Sequence, residues 1–212
     1  MIIQGVAGNL PGAKQDSGNP NVAQGFLTEL LVSQLTPSYY TLLKNNLVHF
    51  VSLSGGNPTA FTGGAGGTPL IGLYNASNSG EDIVILQVRI GVRTTGTAAG
   101  TLDFNWYMGP STLPTGTVTA PRNNYSGAPS GSIAIAFVNT AMTASSAINP
   151  IGPIASIGAN PVTTPIAAVL NANENTAGAI VCAPGNLIAV GASSTLTAAS
   201  IDCTLLWAAL PA

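Results

Sequence analysis

A single histidine, His49, two cysteines, Cys182 and Cys203, and seven acidic residues are the titratable groups of this 212-residue chain suited to acid, base or metal chemistry near neutral pH. Any nucleophile-base pair must use His49. No Gly-x-Ser-x-Gly elbow and no cysteine beside a base accompanies it, and it sits between apolar neighbours in "LVHFVSLS". It is therefore expected to be a packed or interfacial strand residue. A zinc site needs three or four closely spaced His, Cys, Asp or Glu ligands, and none cluster. Glu81 and Asp82 follow "NASNSG" and read as the solvated start of a strand; Asn75, Ser77, Asn78 and Glu81 only faintly match a calcium loop. Asp103 and Glu174 lie in different segments, so the sequence gives no ground for a glycosidase pair. The expectation is a non-enzymatic protein with no cofactor and no metal.

Aromatic residues are the other candidates. Trp106, Tyr107, Tyr125 and Trp207 are of the types that line sugar-binding surfaces, yet both tryptophans fall on the apolar phase of their segments and are expected in a core. Asn75-Ala-Ser77 and Asn124-Tyr-Ser126 match the glycosylation pattern, read as chance because no secretion signal is evident at the N-terminus. Cys182 in "GAIVCAPG" and Cys203 in "SIDCTLLW" are expected as buried, reduced thiols.

Composition narrows the function classes. Charged residues make up 6% of the chain and hydrophobic residues 46%, with 25 Gly and 15 Pro. Five basic and seven acidic side chains cannot keep about 200 residues apart in solution, so part of the surface is expected to be hidden in an assembly. Lys14, Lys44, Arg89, Arg93 and Arg122 form no stripe that tracks a phosphate backbone, which argues against nucleic acid. No run of about 18 apolar residues is present, so no membrane span and no signal peptide are expected, and synthesis is placed in a cytoplasm.

The elements that must position these residues are mostly strands. Residues 1 to about 22 show neither helical nor strand period and read as an extended arm. Phe26, Leu27, Leu30, Leu31 and Leu35 fall at helical spacing, and "TPSYYTLLKNN" starts a second short helix with Thr36 as cap and Pro37 in the first turn. From Leu47 the period becomes two. "GGNPTAFTGGAGGTP" lacks the Lys-Ser/Thr of a phosphate-binding loop and reads as a flexible surface loop. "EDIVILQVRIGV" and "LDFNWYMG" read as a hairpin, with Asp103 expected diagonally between Arg89 and Arg93 on its wet face. "SIAIAFVN", "TTPIAAVLN", "GAIVCA", "NLIAVGAS" and "SIDCTLLWAAL" are further strands, while Asn139 to Pro161 carries too many Gly and Pro for a helix and reads as a long excursion. The expected fold is mainly β: an antiparallel, jelly-roll-like sandwich over 47–212, preceded by an arm and helical docking segment over 1–46.

Three stretches in this order, "GFLTELLVSQLTPSYYTLLKNNLVHFVS", "TPLIGLYNASNSGEDIVILQVRIGV" and "GAIVCAPGNLIAVGASSTLTAASIDCTLLWAALP", resemble small structural proteins of tailed-bacteriophage particles. In that family a tyrosine-tyrosine helix precedes a sheet domain, an "LxNPxGSGxNxVIL"-like strand follows, and a "PPG" turn leads to a last strand ending in Trp-x-x-x-Pro. Here "YNASNSGEDIVIL" stands in place of the Asn-Pro form and "APG" in place of "PPG". The likeness covers roughly residues 25–93 and 178–211. It implies a capsid-decorating or cementing virion protein, made in the host cytoplasm, whose partners are its own copies in a trimer or other closed ring and the major capsid protein. Leu30, Leu31, Leu35, Tyr39 and Leu43 would then be the docking and oligomerisation residues. A head- or tail-fibre component that binds a host receptor or glycan is the alternative.

Overall fold

The computed structural model describes residues 40–61, 63–95, 100–125, 131–159, 170–193 and 199–212. The chain divides into two compact units, Met1–Thr41 and Leu42–Ala212. Of the first, only Tyr40 and Thr41 are described; they open the five-residue helix α1 (Tyr40–Lys44). Residues 25–39, on which the first helix and the start of the second were expected, lie outside the described residues.

The second unit is a β-sandwich of two antiparallel sheets. The first sheet runs in the order β7 (Arg122–Asn123), β1 (Val48–Gly56), β11 (Ala199–Pro211), β4 (Glu81–Thr95), β9 (Leu170–Cys182). The second runs β2 (Gly64–Gly67), β8 (Ile135–Ala159), β3 (Ile71–Asn75), β10 (Asn186–Ala192), β5 (Gly100–Pro110), with β6 (Thr115–Thr119) beside β8. The second sheet closes on itself. β8 pairs with β3 through Ile135–Val138 and with β5 through Met108↔Asn149 to Gly100↔Ala159, so one 25-residue strand joins both edges.

Alternation builds the first sheet. In β11, Ile201, Cys203, Leu205 and Trp207 point inward and are buried, while Ser200, Asp202, Thr204 and Leu206 alternate outward. Together with Ile85, Val88 and Ile90 of β4 they meet Leu73, Phe104, Trp106, Ile188 and Val190 of the second sheet in the main core. β3 and β10 do not alternate. All five residues of β3 and six of the seven in β10 are buried, because their second face covers another core of Phe61, Tyr74, Tyr107, Phe137, Met142, Ile148 and Leu187. Strands covered on both faces read as continuous apolar runs, which "IGLYN" and "NLIAVGA" are.

Three expectations are corrected. "EDIVILQVRIGV" and "LDFNWYMG" are strands, but not a hairpin: β4 pairs with β11 and β9 in one sheet, and β5 pairs with β10 and β8 in the other. Sequence neighbours with small connecting residues pair directly in a hairpin or turn a corner between sheets, and alternation does not separate the two. Asn139 to Pro161 is no excursion, since β8 continues to Ala159. Beyond Ile148 that strand pairs only with β5, so Pro150 and Pro153 occupy a strand with a free side, where a missing N–H breaks no ladder. The Gly-rich loop is anchored. Phe61 is buried, its N–H donates to Ala192 O at 2.7 Å, and β2 pairs with β8. A Cβ on Gly67 would stand 2.7 Å from the Phe61 ring and one on Gly191 would strike it as well, so the glycines make the socket that the phenylalanine fills.

Candidate functional site

The acid-base candidates are each held in structural roles. His49 is 2% exposed in β1, opposite Trp207, with ring centroids 6.1 Å apart. Burial pulls its pKa below the ordinary value, so it rests as a neutral imidazole. Cys182 and Cys203 are free, buried thiols, as expected, and burial pushes both up to about 12; they are protonated and poor nucleophiles. Among the described residues no three His, Cys, Asp or Glu side chains form a metal-binding group.

The acids are dispersed by the two-sheet topology. Asp103 does not meet Arg89 or Arg93; its carboxylate accepts from Ser156 Oγ and, at 3.2 Å, from Ser193 Oγ, tying β5 to β8 and to the end of β10. Glu174 accepts from Trp106 Nε1 at 3.0 Å, bridging β9 to β5 across the sandwich. The core placement expected for Trp106 and Trp207 holds, since both are buried. Asn75 is fully buried, and its Nδ2 donates to Glu81 O and Cys182 O, each at 2.8 Å. It is a latch between strand ends, out of reach of any glycosyltransferase. Of the five docking candidates, Leu30, Leu31, Leu35 and Tyr39 lie outside the described residues; Leu43, half-buried at the end of α1, accepts from Asn46 N at 3.0 Å through its carbonyl.

The outward face of the first sheet is the place where polar side chains gather around a depression. Register fixes the rows. Arg122, Phe50, Leu206 and Gln87 lie side by side on β7, β1, β11 and β4, and Ser52, Thr204, Arg89 and Asn173 form the next row on β1, β11, β4 and β9. Two contiguous hollows of about 240 Å³ and 320 Å³ open here and share Phe50 and Ser52. Arg89 lines the first and Arg122 the second, and Asn124 and Thr119 close the side away from β4.

Hydrogen bonds order this face. Ser52 Oγ and Thr204 Oγ1 are 2.9 Å apart, Gln87 Nε2 donates to Asn173 Oδ1 at 2.7 Å, and Arg89 Nε donates to Gln87 Oε1 at 3.0 Å. Farther along, Arg93 Nε donates to Asp202 Oδ2 at 2.7 Å and its Nη2 to Ser54 Oγ at 2.9 Å. Asp202 also accepts from the Gly55 N–H at 2.8 Å, where β1 is bulged, and these donors, Arg93 first, lower its pKa. Arg93 is thereby neutralised. Arg89 and Arg122 have no carboxylate partner among the described residues. The alternation of Gln87, Arg89 and Arg93 against Val88, Ile90 and Val92 marked this face as polar in the sequence. Nothing there indicated that Phe50 and Arg122, 72 residues apart, are cross-strand neighbours.

No protein-family model matches the chain, and no curated protein and no solved structure is significantly similar to it.

Proposed function

We propose that the chain is a non-enzymatic virion structural protein that decorates or cements a bacteriophage capsid, its sandwich being a jelly roll. The observation that carries this reading is the strand order. Counting the eight long or central strands β1, β3, β4, β5, β8, β9, β10 and β11 in sequence, the sheets read first-eighth-third-sixth and second-seventh-fourth-fifth. Successive strands change sheet at every step except from β5 to β8, the winding of a jelly roll, an architecture used by viral capsid and lectin domains. Fold analogy is a weak guide to function, so composition must share the argument. With 6% charged residues, the chain is suited to lying in contact with other protein. Exposed Leu113, Val118 and Ile151 are carried by the segment before β6, by β6 and by β8, respectively, on the side of the second sheet.

In this reading, attachment comes from shape and apolar contact. Specific association requires about 1,600 Å² of buried surface, and a repeating shell adds avidity. Partners would be sister copies in a trimer or other ring and the major capsid protein. The test is stoichiometry: purified protein is mixed with empty capsids of the source phage and its copy number is counted by cryo-electron microscopy. Occupancy over the whole shell is expected, and a few copies at one vertex would refute decoration.

A head- or tail-fibre role is the second reading, favoured by the groove on the first sheet. Its unpaired guanidiniums and apolar floor are features of a recognition surface, and decoration alone gives them no use.

A further inference from the structure

Arg89 and Arg122 are the starting point. Both are exposed arginines on the polar face of a folded sheet, and neither has a carboxylate partner among the described residues. Arg89 is also fixed in place: the chain Asn173–Gln87–Arg89 holds its Nε, leaving both terminal amino groups without a hydrogen-bond partner among the described residues. Between the two lies Phe50, half-buried, with Leu206 beside it. Three inter-strand steps and one two-residue offset separate the arginine backbones by about 15 Å. A ligand that engages both is longer than one small ring and carries negative charge.

Backbone pairing decides its class. β11 is paired with β1 and β4, β4 with β11 and β9, and β1 is covered by β7 at His49 and Phe50, so the floor from Phe50 to Arg89 has no free strand edge for a peptide to extend; the open edge of β1 begins at Val51, beside that floor. Recognition must come from side chains: two guanidiniums for carboxylates, amide and hydroxyl groups of Gln87, Asn124, Ser52 and Thr204 for hydroxyls, and a phenyl ring for a flat apolar face.

We propose that this groove binds a carboxylated oligosaccharide, with its acid groups on Arg89 and Arg122 and a sugar ring over Phe50. The inference deepens the second reading and is independent of shell attachment, because capsid decoration can fail while the groove still binds, and the reverse.

Titration calorimetry on the full chain tests it with hexagalacturonic acid, trisialic acid, the methyl ester of the first, and hexaglutamate. At least one acidic sugar is expected to bind. Removing its carboxylate charge should weaken affinity by about tenfold or more, the worth of a charge-assisted contact. Arg89→Gln and Arg122→Gln should each do the same with thermal unfolding unchanged, and Phe50→Ala should also weaken binding. Arg93→Gln, whose charge is already paired, should leave affinity within about twofold. Absence of binding by both acidic sugars overturns the proposal. So does equal affinity for the ester, equal affinity for hexaglutamate, or indifference to both arginine substitutions.

Discussion

The two sheets of the sandwich solve burial differently. The first has one dry face and one wet face, and its strands alternate; in the second, β3 and β10 are covered on both faces and buried almost throughout, while β2, β6 and much of β8 stay exposed around them. The difference lies in β8. By joining both edges of the second sheet it covers the face that would otherwise meet water, and it does so over a core that includes Phe61 from the Gly-rich segment. Strands dry on both faces leave no free surface at the centre of their sheet for recognition. The first sheet keeps its outer face for arginines, amides and hydroxyls.

The sharpest way to break this comparison is to empty the second core. Phe61→Ala removes a ring that is 1% exposed and packs edge-on against Tyr107 at 4.9 Å between centroids. Glycine neighbours cannot move side chains into the space, so the loss should lie near the full value for a buried phenylalanine, about 3–5 kcal/mol in urea unfolding. Phe50→Ala, on the wet face, should cost under about 1 kcal/mol. If the two substitutions cost the same, the second sheet is not closed over a real core.

Asn75→Ala is the next largest. It deletes two hydrogen bonds to carbonyls at the ends of β4 and β9 and strips the buried Cys182 carbonyl of its side-chain donor, while the Glu81 carbonyl still accepts from Ser79 Oγ. About 2 kcal/mol of stability should be lost, measured by the same unfolding curves. Asn75→Asp should cost more, since a buried carboxylate cannot donate to those carbonyls.

Much of the sandwich was legible in the sequence. The alternation in "EDIVILQVRIGV" and "SIDCTLLWAAL" identified β4 and β11 and put Trp207 inside, and "LDFNWYMG" did the same for Trp106. What alternation could not convey was pairing over distance. The placement of β4 and β5 in different sheets depends on contacts with β11 and β10, more than 70 residues away, so the expected Asp103–arginine cluster dissolved. The long β8 was hidden for another reason. Its prolines and small residues are allowed by its free side and by bulges opposite Asn105 and Tyr107, features of the neighbours and not of the strand itself. Phe61 was likewise masked by its surroundings, because the glycines that suggested flexibility are the walls of its socket. The groove was half legible: Arg89 declared itself on a polar face, whereas Arg122 and Phe50 met only through register.

His49 and Asp202 lie on the two faces of the first sheet, and both are lowered, the first by burial and the second by its donors, so each loses its contribution on acidification in its own pH window. His49 is pulled below its ordinary value of 6.5 by burial, so the unfolded chain binds the proton more readily than the folded one. Its contribution is complete above pH 6.5 and declines as pH falls below that value. Stability measured from pH 7.5 to 5 should therefore drop, and His49→Phe should flatten that slope; an unchanged slope would place the proton elsewhere.

Asp202 is on the wet face, and its carboxyl is held below the ordinary value chiefly by the hydrogen bond from Arg93. A depressed carboxylate stabilises above its unfolded pKa and loses that contribution as pH falls through the folded value, so the effect is confined to below about pH 4. Both side chains are more than one-third exposed, and water and salt screen the pair. Its removal by Asp202→Asn should cost under about 1 kcal/mol at pH 7 and should shrink further in 0.5 M salt, at roughly half the Debye length of physiological buffer. A much larger loss in Asp202→Ala, which also removes the acceptor of the Gly55 N–H, insensitive to salt, would mean that this bond at the bulge of β1 outweighs the ion pair, and that this face is pinned by its backbone as firmly as the dry one is by packing.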